Sequence, residues 1–74
     1  MSPPRPGNYQ HQVFVGSSRR TRQAKPTVEG AIENGYEAAR KVIKSGTLTL
    51  RVVDIFVIGR NPITEYRVVL APDG

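Results

Sequence analysis

The stretch LTLRVVDIFVI, residues 48–58, decides how this chain folds, because it predicts a strand that is apolar on both of its faces. With a period of two, its apolar side chains divide into one set of Leu48, Leu50, Val52, Phe56 and Ile58 and a second set of Val53, Ile55 and Val57. A strand on a single small core alternates apolar and polar residues, and one helix covers only one face of a sheet. A chain of 74 residues without cysteine gains its second covering layer most simply from another copy of itself, so the stretch predicts a homo-oligomer.

The segments before this strand predict one more strand and one helix. Residues 9–15 alternate as a short first strand, which the run Gly16-Ser17-Ser18 is expected to end. A helix follows with Thr27 as its N-cap, because Pro26 disfavours helical backbone immediately before it. Gly46 is expected to end the helix as its C′ residue. Gly30 and Gly35, inside the helix, suggest either close approach by another backbone or a merely tolerated cost in helix propensity.

The remaining segments complete a β-α-β-β order. The long strand covers residues 47–59, a turn signal lies at residues 59–62, and the last strand covers residues 63–71. The last strand is expected to place Tyr66, Val68 and Leu70 on one face and Glu65 and Arg67 on the other. The predicted fold class is therefore α+β, with a three-stranded antiparallel sheet wrapped on one helix. Residues 1–8, rich in proline, are expected to form a flexible tail, and residues 9–74 a single domain.

The charge distribution indicates an alternative function. All of the net charge of +5 comes from residues 1–26, which hold five basic residues and no acidic ones. Arg19, Arg20, Arg22 and Lys25 fall in one loop segment, and such a cluster adds a salt-dependent attraction to phosphate. The alternative function is therefore a small basic protein that binds nucleic acid or another polyanion through this loop. A solvated basic loop remains the simpler interpretation.

Three short stretches resemble the dodecin family. They are Val15-Gly16-Ser17-Ser18, Thr27-Val28-Glu29-Gly30-Ala31-Ile32 and Thr64-Glu65-Tyr66-Arg67-Val68-Val69-Leu70, in the order that the family shows. Dodecins are small β-α-β-β proteins that assemble into hollow dodecamers and in many cases bind flavins. The resemblance implies a dodecin-like fold, a homo-oligomer that is a dodecamer, and an oligomeric protein that binds or stores a small molecule.

The chain departs from the family where flavin binds. Flavin-binding dodecins hold the ring system against a tryptophan early in the second strand, whereas this chain has no tryptophan and places Thr49 or Arg51 there. Arg67 stands where the family usually has glutamine. We therefore expect flavin binding to be weak or absent, and the sequence does not identify a cofactor. The candidate ligand-binding residues are Thr49, Arg51 and Arg67. Guanidinium groups favour an anionic ligand, although both arginines could instead be solvated or pair with Glu65.

Other classes of function find little support in the sequence. Without cysteine there is no disulfide, zinc–thiolate or iron–sulfur site, and His11 has no nearby partner for a metal. No nucleophile–base pair is evident, so we expect a protein that is not an enzyme. Neither a transmembrane-length apolar run nor a signal peptide is present, which predicts a cytoplasmic protein without a membrane partner. Asp54 interrupts an apolar face, so either a bulge turns it outward or it meets Arg51, Arg60 or a neighbouring subunit.

Overall fold

The computed structural model describes residues 12–73 and confirms the β-α-β-β order of an α+β fold. Its elements are β1 (Phe14–Arg19), α1 (Val28–Val42), β2 (Leu50–Gly59) and β3 (Ile63–Pro72). The predicted tail at residues 1–8, the start of the predicted first strand and His11 lie outside the described residues.

The three strands form one antiparallel sheet in the order β1-β3-β2. β2 and β3 make a hairpin whose turn begins at Gly59, where a φ of +128° favours glycine. β1 pairs along the other edge of β3, with Phe14 opposite Leu70 and Arg19 opposite Glu65. The last strand is therefore the central one, and β1 and β2 are the two edges of the sheet.

β1 continues through the segment that was predicted to end it. Gly and Ser usually mark turns, but Gly16, Ser17 and Ser18 are all paired with β3 here. The helix accounts for the difference, because the Asn34 Oδ1 accepts from the Ser17 backbone N–H (N···O 3.0 Å) and the Ser18 Oγ accepts from the Thr27 N–H (3.1 Å). The small residues of β1 thus let α1 lie directly on the strand.

The helix begins as predicted and ends earlier than predicted. The Thr27 Oγ1 accepts from the Gly30 N–H at 2.9 Å, which confirms the N-cap. The C-cap is Ile43, so the expectation of Gly46 as the C′ residue is wrong. Arg40 explains how the helix ends without a glycine there, since its guanidinium donates to the carbonyl oxygens of Ile43 (3.2 Å) and Gly46 (2.7 Å).

The core lies between α1 and one side of the sheet, which we call the helix side. Its centre is formed by Ala31, Val68 and Leu70, each at most 1% exposed, with Val28, Ile32, Leu50 and Tyr66 packed around them. Glu65 and Arg67 belong to the opposite side of β3, which we call the outer side. The predicted division of β3 between its two faces is therefore confirmed.

A β-bulge at Val53 corrects the predicted faces of β2. Val52 is opposite Leu70, but the next rung pairs Asp54 with Val69, so Val53 is the extra residue. Because opposite residues of an antiparallel pair share a face, Ile55 and Val57 follow Val52 on the helix side. Asp54, Phe56 and Ile58 move to the outer side. Strict alternation had placed Asp54, Phe56 and Ile58 on the same face as Val52; the bulge shifts the period by one residue and moves these three to the opposite face.

Candidate functional site

From Val52 to Val57, β2 is uncovered on both sides of the sheet. Its large apolar side chains are exposed, namely Val52 at 44%, Val53 at 42%, Ile55 at 49%, Phe56 at 49% and Val57 at 59%. α1 packs on β1 and β3, which leaves β2 projecting beyond the helix. The bulge does not change the conclusion drawn from the sequence, because each side of β2 still presents apolar residues. We call these five residues the β2 patch.

The two edges of the sheet differ in how accessible their backbone is. On β1 the outward N–H of Ser17 is occupied by the Asn34 side chain, and α1 lies close to the strand. Within residues 12–73, no residue of α1 forms a hydrogen bond with the backbone of β2. An open edge strand offers unpaired backbone groups to another chain. The apolar patch and the open edge therefore coincide on the same strand.

A buried carboxylate and two arginines form a cluster on the outer side. The Arg67 Nε and Nη2 both donate to the Glu65 Oε2, at 3.1 and 2.9 Å, and the Arg19 Nε lies 3.3 Å from the Glu65 Oε1. Glu65 is only 8% exposed, whereas the Arg67 side chain is 45% exposed. Of the alternatives left open by the sequence, pairing of Arg67 with Glu65 is the one observed. Glu65 fixes the guanidinium plane and leaves the cluster with a net positive charge.

Phe56 is a candidate ligand contact that the sequence did not single out. It stands directly opposite Arg67 on the outer side, so an exposed aromatic ring and a fixed guanidinium are neighbours. A ring next to a guanidinium suits a planar anionic ligand. The signal for this placement was Asp54, because a bulge that turns Asp54 outward necessarily carries Phe56 with it.

The predicted ligand residues do not form one cluster within a chain. Arg51 is opposite Ala71 and Arg67 is opposite Phe56, so they are separated by four residues of β3, about 13 Å. Asp54 lies between them on the outer side, which makes this stretch less favourable for an anion. Thr49 precedes β2, and its carbonyl oxygen accepts from the Asp73 N–H at 2.9 Å. Arg67, which lies beside the exposed Phe56 ring, is thus the predicted residue whose surroundings suit a ligand.

The basic loop is held against the beginning of β3. The Arg20 N–H donates to the Thr64 carbonyl oxygen (2.8 Å), and the Arg20 Nε donates to the Ile63 carbonyl oxygen (3.0 Å). The Thr21 Oγ1 accepts from the backbone N–H of Gln23 (3.2 Å) and of Ala24 (3.0 Å), which closes a local turn. Arg19 and Arg20 therefore have contacts within the fold, while Arg22 and Lys25 point from an ordered loop into solvent.

Neither the remaining features of the structure nor comparison with known proteins identifies a family or a further site. Within residues 12–73, no group of three or more acidic or histidine side chains is placed to hold a metal ion, and no helix has the length and apolarity needed to span a membrane. The chain was compared with protein-family models, with curated proteins and with solved structures, and none of the three comparisons found a match.

Proposed function

We propose that this protein is a homo-oligomer that binds or stores a small molecule, with copies of the chain covering the β2 patch. The observation that carries the proposal is the exposure of between 42 and 59% of five large apolar side chains on one ten-residue strand. Monomeric proteins rarely expose large contiguous apolar patches. Burying each half-exposed side chain contributes roughly 1 kcal/mol, so covering all five strongly favours association.

Another copy of the chain is the proposed partner because the surface suits self-association. The patch lies on an open edge strand of a small domain, and at the other edge α1 occupies the outward N–H of Ser17. Closed symmetric homo-oligomers are the commonest assemblies of soluble chains. The resemblance to dodecins supports twelve as the number of subunits.

The ligand part of the proposal rests on Phe56 and Arg67. Their position beside the β2 patch means that assembly through β2 would bring a second copy close to them and enclose a small molecule. The fixed guanidinium favours an anionic group on that ligand, and the phenyl ring favours a planar one. The resemblance to dodecins supports a small-molecule ligand of this kind, while the missing tryptophan argues for one other than flavin.

We expect the purified chain to assemble. Light scattering at micromolar concentration should give a mass many times the chain mass of 8.2 kDa, with a dodecamer at about 98 kDa. Native mass spectrometry of the same sample should show mass above that of the chains alone, from a retained small molecule. A folded monomer would refute the assembly, and an assembly that never retains or binds a small molecule would refute the storage role.

Flavin titration tests the ligand chemistry. We expect dissociation constants above about 1 μM for both riboflavin and FMN, because the stacking platform is absent. FMN should bind more tightly than riboflavin, since only FMN carries a phosphate for Arg67, and Arg67→Gln should remove the difference. Quenching of flavin fluorescence measures both constants. Sub-micromolar binding of riboflavin would contradict the expectation and show that Phe56 or another group replaces the missing indole.

A further inference from the structure

The structure joins the basic loop to the tip of the β2–β3 hairpin. Arg20 bonds to Ile63 and Thr64 from one side of β3, while Gly59, the residue before Arg60, pairs with Ile63 from the other side. Strands on either side of a central strand are about 10 Å apart. Arg60 is far from the loop in sequence, yet it lies at the same end of the molecule. We call this region the basic end.

The basic end carries a concentrated positive charge. Its six cations are Arg19, Arg20, Arg22, Lys25, Arg60 and Arg67. Glu65 is buried beneath two of them, and Glu29, in the first turn of α1, is an exposed acid at the same end. Among the ion pairs of residues 12–73, neither Arg22, Lys25 nor Arg60 takes part. These three exposed side chains are therefore ready to contact an external anion.

We propose that the basic end binds the phosphate backbone of double-stranded nucleic acid without reading its sequence. Proteins that bind single strands stack bases on aromatic side chains, and the segments that carry Arg22, Lys25 and Arg60, residues 20–27 and 59–63, contain no aromatic residue. The exposed ring nearest the basic end, Phe56, belongs to the β2 patch. A membrane surface would call for apolar side chains interspersed with the cations, and the loop offers Thr21, Gln23 and Ala24 instead. A duplex presents closely spaced phosphates, which suits several cations carried by two backbone segments about 10 Å apart.

This site goes beyond the proposed small-molecule function and is independent of it. The β2 patch and the basic end are different surfaces, although Arg67 of the basic end also lies beside Phe56 of the patch. Repetition of the basic end in an oligomer would add avidity to contacts that are weak in one chain. Arg19, Arg20 and Arg67 also bond within the fold, so a clean test changes only Arg22, Lys25 and Arg60.

The test compares two triple variants with the same net charge. Arg22→Ser, Lys25→Ser and Arg60→Ser removes the three exposed cations of the basic end. Lys41→Ser, Lys44→Ser and Arg51→Ser is the matched control, since these cations lie at the end of α1 and the start of β2. Binding to a fluorescein-labelled duplex of about 20 base pairs is followed by anisotropy from 20 to 200 mM salt, and circular dichroism and light scattering check fold and assembly.

We expect the parent and the control to bind the duplex at low salt and the basic-end variant to bind at least about tenfold more weakly. If each lost cation contacts one phosphate, the slope of log K against log salt flattens by about 3 per engaged chain. The proposal is overturned if the parent does not bind at 20 mM salt, if the control loses as much affinity, or if anionic lipid vesicles bind and the duplex does not. None of these three outcomes bears on the assembly mass, so this proposal and the proposed oligomeric function can fail separately.

Discussion

Replacing Gly16 with alanine should destabilise the protein by more than about 3 kcal/mol, although only one methyl group is added. A Cβ at this position would lie 2.7 Å from the Gly35 Cα and would overlap the Ala31 carbonyl oxygen and the Gly35 nitrogen. These are backbone atoms of α1, so the helix itself must move to make room. Urea unfolding at a fixed protein concentration measures the loss.

The sign of the effect distinguishes this contact from an ordinary strand position. Alanine normally stabilises a strand relative to glycine by about 0.5–1 kcal/mol, and Gly16 has no left-handed backbone that would reverse this preference. Ser17→Ala is the control, since Ser17 is also in β1 and its bond to Asn34 uses the backbone N–H. That variant should change stability by less than about 1 kcal/mol. An unchanged or stabilised Gly16→Ala protein would mean that α1 does not pack on β1 as described.

Replacing Ile55 with aspartate should dissociate the proposed assembly. Ile55 is 49% exposed in the single chain and lies in the middle of the β2 patch. A carboxylate there would be buried without a partner when a second copy covers the strand, which costs several kcal/mol per chain. Light scattering should show the mass falling towards 8.2 kDa at micromolar concentration. Because the side chain is half exposed in one chain, the fold should survive, and circular dichroism should show it.

Two further variants isolate the cause of that dissociation. Ile55→Val keeps an apolar side chain at the site and should leave the assembly intact. Gln23→Asp adds the same charge on the exposed loop and should also leave it intact. If Ile55→Asp assembles and melts like the parent, β2 is exposed to solvent in the assembly. The proposed role of the β2 patch would then be wrong.

The candidate site shows where sequence patterns reach their limit. Arg67 was singled out through the resemblance to dodecins, because it stands where that family usually has glutamine, and its pairing with Glu65 was one of the alternatives left open. Phe56 was not identified, because assigning it to the outer side requires knowing that Val53 is a bulge. Arg51 was grouped with Arg67, but the two lie about 13 Å apart along the sheet, since their distance depends on the register of β2 against β3.

The sequence by itself determined the order of elements, the N-cap at Thr27, the two faces of β3 and the apolar excess of β2, since these follow from local periodicity and capping chemistry. The tertiary structure decided the rest. It extended β1 through Gly16, because α1 packs so closely on the strand there that only a residue without a side chain fits. It placed the bulge at Val53, because register is fixed by pairing between strands. It also brought the loop at Arg20 to the hairpin tip at Arg60, a juxtaposition of distant segments that no local pattern encodes.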